Sequence, residues 1–525
     1  SLSTTALAGL GSAALAALET SKTAALGTSS IAALGSSQIA ALSTAQAAAL
    51  SSVQARALST TQVAALETSD LAALGLAAIG SWSGAQLRAL SSSQINSLGT
   101  LQMGAISTSV IGLLSTLQIA ALSDIQVQAL TTSQLRALGT SQIGSLESAD
   151  LQALSTAGMR ALGVAQSSAL GTSQIAALTT LQWQNLNTAN VAALLSTQIA
   201  AITTVQISAL AASQFNALNK NSMAAFSAAQ LRAISSAQWV ALATTQVGYL
   251  GTAQISTLAS DQLALLQTAA VLALGTTQLG AVTTTQWQAL TTTQVQALSV
   301  QQVAALGSDQ LNAFTSDQLQ ALTTAQAAAL TTAQAAALNT VQLSTLQTAD
   351  LAALSTQAIA ALGTCSVGSL GTDQIVALST AQARSLGSTS VAALSNEQLL
   401  ALQTEDLASL STTALAGLGS AALAALSTDQ WVGMGTNQFQ WLSTSQWAGI
   451  GSTQIAALQT RDIAAISTTA MQSLATVQTA ALGTEQLLGL GTQLIAALQT
   501  AALANFGIEQ INALSTRQFA ALTTC

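Results

Sequence analysis

The residues best suited to chemistry in this chain are the acids of a short motif that occurs five times. The motif reads [Glu/Gln]-Thr-x-Asp-[Leu/Ile], with Ser in place of Thr in its second copy. Its copies, each with the segment that follows, cover residues 67–79, 147–159, 347–359, 403–415 and 459–471. A recurrent row of carboxylates could bind a cation or a partner, but calcium takes six to eight oxygen ligands and each motif supplies one or two acids. We therefore favour a structural interpretation, in which Asp replaces Gln as a variant cap at the start of a helix.

Other residues that carry catalysis or bind metals are scarce. The chain has no His, so no imidazole serves acid–base catalysis, metal binding or a pH switch near neutrality. Its many Ser and Thr residues have no neighbouring base, and the sequence holds no Walker loop, CxxC pair or Rossmann glycine pattern. We predict that the protein is not an enzyme, and we expect no cofactor, no metal site and no small-molecule substrate.

The two cysteines, Cys365 and Cys525, lie 160 residues apart. In a stack of repeats this separation places them several layers apart, which is farther than a disulfide can span. We expect two free thiols, and the alternative is an intermolecular disulfide through Cys525.

One pattern covers nearly the whole chain: a unit of eight residues occurs 65 times from Ser3 to Leu522, without insertion or deletion. Its consensus is [Ser/Gly/Thr]-[Thr/Ser]-x-Gln-φ-x-Ala-Leu, where φ is an apolar residue and the octad positions are numbered 1 to 8. Position 8 is Leu in 54 octads, and position 2 is Ser or Thr in 55. Strict phase over this length indicates that each unit stacks on its neighbours in the same way. We predict a single continuous array over residues 1–525, with no separate domains.

Each octad has the composition of a very short helix. Ala, Leu and Gln favour helices, and Ser or Thr at position 1 followed three residues later by Gln is the spacing of a capping box. Gly occupies position 1 in 20 octads, where we expect the left-handed residue that ends a preceding helix. Acids concentrate at positions 3 and 4 and Arg at position 6, which suits a helix dipole over positions 3–8.

A helix this short is not stable alone, because isolated helices need about 12 residues or more. The apolar residues at positions 5, 7 and 8 must therefore be buried between octads, with polar side chains outside. We predict an all-α fold, a tight solenoid with one short helix per octad; the alternative is a β-solenoid. Octads without Gln recur at multiples of 40 residues, which suggests a similar environment at every fifth octad. Layers about 9 Å apart with two to five octads per turn would give a rod of roughly 120–290 Å.

The aromatic residues follow the octad phase. All seven Trp, all six Phe and all five Met lie at positions 5, 7 or 8, so we interpret them as core residues rather than as a sugar- or nucleic-acid-stacking surface. Trp431, Phe439, Trp441 and Trp447 cluster within three octads, and Trp441 takes the usual Ala position. These four residues, together with Cys525, are our candidate assembly contacts, with Trp441 pushed outward.

Composition excludes several classes of protein. No apolar run of 18 residues exists, which argues against membrane insertion, and strictly phased apolar residues argue against disorder. Ten scattered Lys and Arg residues make a nucleic-acid partner unsuitable. The chain begins and ends within an octad, and residues 1–18 are identical to residues 409–426, so we expect it to be a processed or partial chain.

The octads resemble the Ala/Thr/Gln/Leu-rich repeat tracts of large bacterial surface and secreted proteins. The resemblance implies an extracellular or cell-surface location and names no catalytic residues. We predict a structural protein, a rigid solenoid that self-associates head to tail or laterally into a fibre, sheath or stalk. A spacer or scaffold within a large bacterial adhesin is the alternative. Ice binding through the Ser/Thr row at position 2 is a third hypothesis, and it requires a flat β face.

Overall fold

In a computed structural model, which describes residues 3–522, the chain is built from 65 short α-helices, one in each octad. Every helix begins at position 2 of its octad, and nearly all end at position 5, 6 or 7, as in Thr4–Ala8, Thr60–Ala65 and Thr108–Ile111. The last helix, Thr516–Leu522, reaches position 8. The all-α prediction is therefore confirmed, although the helices begin one residue earlier than we expected.

Residues 3–522 contain no β-strand. This finding overturns the alternative of a β-solenoid. It also removes the flat β face on which the ice-binding hypothesis depended.

The predicted capping box is present in most octads that carry the consensus residues. In octad 59–66 the backbone N–H of Gln62 donates to the Ser59 hydroxyl over 3.2 Å, and the Gln62 side-chain oxygen accepts from the Ser59 backbone N–H over 2.7 Å. Ser59 itself is extended, with φ −70° and ψ 164°. Two of the free N–H groups at the start of each such helix are thereby satisfied within the octad.

Glycine at position 1 does not have the role that we predicted for it. No residue of the described chain has a positive φ, and Gly35, for example, has φ −72° and ψ 159°. The chain leaves one helix through an extended or right-handed residue and enters the next through an extended position 1. A left-handed C-terminal residue is therefore not needed, and glycine at position 1 serves as an N-cap without a side chain.

The Gln at position 4 is buried, whereas we had placed polar side chains outside. Gln46 is 1% exposed and Gln62 is 3% exposed. The side-chain amide of Gln62 donates to the carbonyl oxygens of Ile31 over 2.8 Å and Leu34 over 2.7 Å. These carbonyls belong to positions 5 and 8 of the octad four places earlier, so the Gln side chain joins successive turns of the solenoid.

Apolar side chains at positions 5 and 8 fill the space between the turns. Position 5 is almost completely enclosed, as at Val63 (0% exposed), and position 8 is nearly so, as at Leu66 (2%). Ala at position 7, such as Ala65, is half-buried, so the prediction of a buried position 7 is only partly correct.

The number of octads per turn follows from two kinds of contact. Each helix packs against the helix three octads further on, as Asp124–Ala129 does against Ser148–Ala153. The Gln bonds reach four octads back. One turn therefore contains between three and four octads, which lies within the predicted range of two to five and does not match the suggested period of five.

Arginine at position 6 also contributes between turns. The Arg232 Nε donates to the carbonyl oxygen of Thr257, near the C-terminus of the helix three octads further on, over 3.1 Å. Asn216 makes the equivalent bond to Ala241 over 3.0 Å. A donor at a helix C-terminus satisfies a free carbonyl and suits the dipole, as the position of Arg in the octad indicated.

The chain divides into two compact units, which meet in sequence between Leu266 and Gln267. Each unit has the same internal arrangement: the Gln bonds to the octad four places earlier run from Gln38 to Gln262 in unit 1 and from Gln302 to Gln518 in unit 2. The octad phase continues through the boundary, and a single array without separate domains stays a prediction.

The neighbours Gln301 and Gln302 allow a matched test of the buried amide. Gln302 bonds to Ser299, Leu272 and Leu274, whereas the side chain of Gln301 is exposed. We expect Gln302→Ala to lower the local free energy of opening by roughly 2–4 kcal/mol, because buried backbone groups lose their partners. Native-state hydrogen exchange of the octads around residues 272 and 302 measures this change. Gln301→Ala is the control, and an equal effect of both variants would contradict a structural role for the buried amide.

Candidate functional site

The five Asp residues of the acidic motif all lie at position 4, where the consensus octad has its buried Gln. They are between 0% and 3% exposed. Asp is shorter than Gln and has no amide donor, so it cannot make the bonds to the preceding turn. These residues are Asp70, Asp150, Asp350, Asp406 and Asp462.

Only one of the five Asp residues acts as the variant cap that we predicted. Asp150 Oδ2 accepts from the backbone N–H of Glu147 over 3.0 Å and completes a capping box. In the other four, the Oδ2 atom is buried and has no hydrogen-bond partner among the described residues. For these four residues the interpretation as a helix cap is wrong.

Three of the Asp residues are instead bonded to a Thr hydroxyl on the neighbouring turn. Thr436 Oγ1 donates to Asp462 Oδ1 over 2.6 Å. Asp350 and Asp406 have the same contact with Thr324 and Thr380. In each pair, Thr is at position 2 of the octad three places earlier, so this bond also joins turns of the solenoid.

Burial raises the pKa of several of these carboxyl groups above the ordinary value. It is the largest cause for Asp70, where the nearby Glu67 carboxylate adds to the rise in pKa. Burial also raises the pKa of Asp350 and Asp406, and their Thr hydrogen bonds oppose this rise. A charged carboxylate in these positions is costly because it has few compensating donors.

Asp150 has the largest printed shift and the most acidic surroundings. Burial is the main cause that raises its pKa to about 6. The Glu147 backbone N–H opposes the rise, whereas the Asp124 side chain and the Glu147 carboxylate add to it. A surface groove of about 630 Å³ borders these three acids and the backbone of residues 120–122.

Position 1 compensates for the missing Gln in many of these octads. Gln347 Nε2 donates to the carbonyl oxygen of Gln320 over 2.8 Å, and Gln403 donates to that of Val376 over 3.2 Å. Both carbonyls belong to position 6 of the octad four places earlier. The same bond is made by three further octads that lack Gln at position 4, through Asn187, Asn219 and Gln499.

We did not predict this exchange of donors, although its signal is present in the sequence. Of the eleven octads with Glu, Gln or Asn at position 1, ten lack Gln at position 4. Glu67 and Glu147 differ from the Gln and Asn residues at this position because a carboxylate cannot donate to a carbonyl.

The aromatic cluster that we named as candidate assembly contacts divides into buried and exposed members. Trp431, Phe439 and Trp447 are each 0% exposed, and their rings pack in sequence at 6.0 and 5.9 Å. Their burial corrects the expectation that they take part in surface contacts. Trp441 is 70% exposed, and its role as a contact stays a prediction.

The remaining candidate residues are the two cysteines. Cys365 is exposed and has a free thiol, and Cys525 lies outside the described residues. Within residues 3–522, no group of three or more His, Cys, Asp or Glu side chains forms a metal site by itself. None of the described helices has the length and apolar character that a membrane crossing needs.

The fold and the repeated interlayer bonds define a helical repeat protein of the solenoid class. The chain belongs to the ALTTAQ repeat family, whose sequence model matches more than half of it. The matches cover residues 15–52, 31–68, 63–100, 143–180, 223–260, 290–324, 303–340, 343–380, 399–436, 455–492 and 494–524. The recognition of a repeat tract is thus confirmed, and the family match carries no information on location.

Two other comparisons add little. A search of curated proteins found no match. Among solved structures, the chain is similar to part of a "Homology model of the full-length AP-3 complex in an intermediate open conformation", at 10% identity over 96% of this chain and 86% of that chain. The TM-score of 0.15 is too low for this likeness to bear on fold or function.

The raised pKa of Asp150 predicts that acid stabilises its surroundings. Because the folded state binds this proton more tightly than the unfolded state, the free energy of unfolding falls as pH rises through about 6 and is regained on acidification towards pH 4. In metal-free buffer, hydrogen exchange corrected for its intrinsic pH dependence should show less opening of residues 147–154 at pH 5 than at pH 7.5. Asp150→Asn should flatten this dependence, and the exposed Asp317→Asn should leave it unchanged.

Proposed function

We propose that this chain is a structural component of an extracellular or cell-surface assembly, in which copies associate into a fibre, sheath or stalk. The observation that carries the proposal is the uniform set of buried amide bonds between turns, repeated throughout both units. A helix of five or six residues gains its stability from such stacking and not from its own hydrogen bonds. An architecture of this kind suits a mechanical or spacing role.

The surface supports association with like copies. Only 5% of the residues are charged, so electrostatic repulsion between copies is small. Large apolar side chains are exposed at outward positions, among them Leu117 (76%), Leu101 (73%) and Trp441 (70%). Leu101 and Ile125 are on helices that pack against each other, so they form a short apolar ridge across two turns. Such ridges are suited to lateral contacts.

The same features favour the absence of an enzymatic or nucleic-acid-binding role. The carboxylates of the acidic motif have no base, nucleophile or imidazole beside them that would form a catalytic set. The six Arg residues at position 6 are spread over 42 octads, from Arg56 to Arg384, whereas phosphate binding needs a dense basic stripe. We propose self-association as the main interaction, without membrane insertion.

A spacer within a large bacterial adhesin is the second candidate function. It is favoured by the scatter of the exposed apolar residues over several octad positions, since single exposed apolar side chains are ordinary on monomeric proteins. A spacer would act by holding other domains at a distance, and it would need no contact between copies.

Sedimentation velocity over a range of concentrations, followed by electron microscopy with image averaging, distinguishes the two functions. A fibre subunit should give a sedimentation coefficient that rises with concentration, and particles with a regular axial repeat. A single species that is independent of concentration would refute self-association and leave the spacer function.

Trp441 offers a direct test of the contact surface. We expect Trp441→Ala to reduce self-association without altering the circular dichroism spectrum, because this side chain is 70% exposed and contributes little to the core. Trp447→Ala should instead lower the local free energy of opening by about 3–5 kcal/mol, because it leaves a cavity. Val477→Ala, another exposed apolar position, is the control for a general loss of apolar surface. Unchanged association in Trp441→Ala would remove Trp441 from the contact.

A further inference from the structure

The consensus octad places one amide donor against three backbone carbonyl groups of the preceding turn. Gln46 Nε2 is the clearest case: it lies 2.9 Å from the Leu15 oxygen, 3.3 Å from the Ala16 oxygen and 2.8 Å from the Leu18 oxygen. These carbonyls belong to positions 5, 6 and 8 of the octad four places earlier. The three oxygens surround the position of a single donor group.

Two octads of unit 1 bring only acceptors to this place. Octad 67–74 has Glu67 and Asp70 at positions 1 and 4, and octad 147–154 has Glu147 and Asp150. The carbonyls that the Gln amide would have bonded at position 8 are those of Leu42 and Leu122. Neither of these two carbonyls accepts a hydrogen bond from the described residues.

The Glu side chain brings a second carboxylate to the same carbonyls. In the Gln-Asp octad 347–354, the amide of Gln347 reaches a position 6 carbonyl over 2.8 Å. Glu has the same length as Gln, so the carboxylates of Glu67 and Glu147 reach the equivalent carbonyls, those of Ala40 and Ala120. Oxygen then faces oxygen, which is favourable only with a positive charge between the two atoms.

A buried oxygen without a partner gives independent support for such a charge. Asp70 is 2% exposed, and its Oδ2 atom has no hydrogen-bond partner among the described residues. Buried polar atoms are rarely left unsatisfied, and one that remains calls for a proton, a water molecule or an ion. With the Glu67 carboxylate beside it, the Asp70 carboxylate faces a second negative charge and no donor.

We propose that Glu67–Asp70 and Glu147–Asp150 each bind a divalent cation of the calcium type, held by the two carboxylates and by backbone carbonyl oxygens of the preceding turn. Calcium accepts flexible sets of six to eight oxygens, including carbonyls and water. Two carboxylates balance its charge, and water supplies the remaining ligands.

The second of these sites is open to solvent. The groove of about 630 Å³ is lined by Ala120, Leu122, Asp124, Glu147 and Asp150, among others. The carbonyl-bearing backbone and both proposed carboxylate ligands therefore border one accessible space. Asp124 contacts Asp150 and adds a third carboxylate at the edge of the site.

The third Glu at position 1 is consistent with this proposal. Glu19 is followed at position 4 by Lys22, whose ammonium group lies 3.6 Å from the Glu19 carboxylate. In that octad the protein supplies the cation itself. Glu at position 1 thus occurs either with Lys or with Asp at position 4, and only the octads with Asp need a cation from solution.

Calcium titration of the whole chain at pH 7.5, by isothermal calorimetry and equilibrium dialysis, tests the proposal. We expect two ions per chain, with dissociation constants on the order of 10⁻⁴–10⁻³ M, as in other extracellular sites. Glu67→Gln should reduce the number to one, and Glu67→Gln combined with Glu147→Gln should reduce it to zero. Gln347→Glu, which converts a Gln-Asp octad into a Glu-Asp octad, should raise the number to three.

The controls separate binding from folding and from non-specific attraction. Glu19→Gln removes a carboxylate of the same type at position 1 and should leave two ions bound. The circular dichroism spectrum of each variant should match that of the parent, since all of these substitutions are at exposed position 1 residues. The absence of calcium binding, or two ions still bound in the double variant, would overturn the proposal. An infrared band of protonated carboxyl groups that persists at pH 7.5 with saturating calcium would overturn it as well.

Discussion

The buried Gln amide is the interaction on which the remaining structure depends. Its oxygen accepts from the first residue of its own octad, and its nitrogen donates to carbonyls of the preceding turn, as in Gln62. One neutral side chain thus satisfies backbone groups at a helix start and at a helix end, and both would otherwise be buried without partners. Helices of five or six residues are possible here because each one is completed by its neighbours. Leu at position 8 then fills the space between turns, with side chains such as Leu66 only 2% exposed.

The octads without Gln show what this position requires. Where Asp takes its place, the donor to the preceding turn must come from elsewhere, and Gln347 supplies it from position 1. The Asp carboxyl group then turns to a Thr hydroxyl on another turn, as Asp462 does to Thr436. The cost remains visible in an oxygen without a partner and in a raised pKa for Asp350. Octads with Glu at position 1 have neither solution, and this sets Glu67 and Glu147 apart from the other copies of the motif.

The features that sequence alone could predict are those that lie within one octad. The capping box joins positions 1 and 4 of the same unit, and the apolar spacing of positions 5 and 8 places them on one face of a short helix. Burial of the Gln could not be derived in this way, because its second set of partners lies 28 and 31 residues earlier, as with Leu34 and Ile31 for Gln62. The expectation of left-handed Gly failed for a related reason: position 8 is extended, as at Leu34 (φ −69°, ψ 138°), so the chain turns before Gly35 is reached. Pairing of the residue types at positions 1 and 4 was detectable by counting, but its meaning depends on the carbonyl groups of another turn.

Because every Gln finds its partners by counting four octads back, the identity of the partner octad has little importance. Backbone carbonyls are the acceptors, and all octads present them alike. A gene of this kind can therefore gain or lose repeats in steps of whole octads, and each new neighbour offers the same bonds as the one it replaced. Residues 1–18 and 409–426 are identical, as recent copying of such a segment would leave them. Copy number is then a heritable variable that recombination can adjust, with little need for compensating substitutions elsewhere in the chain.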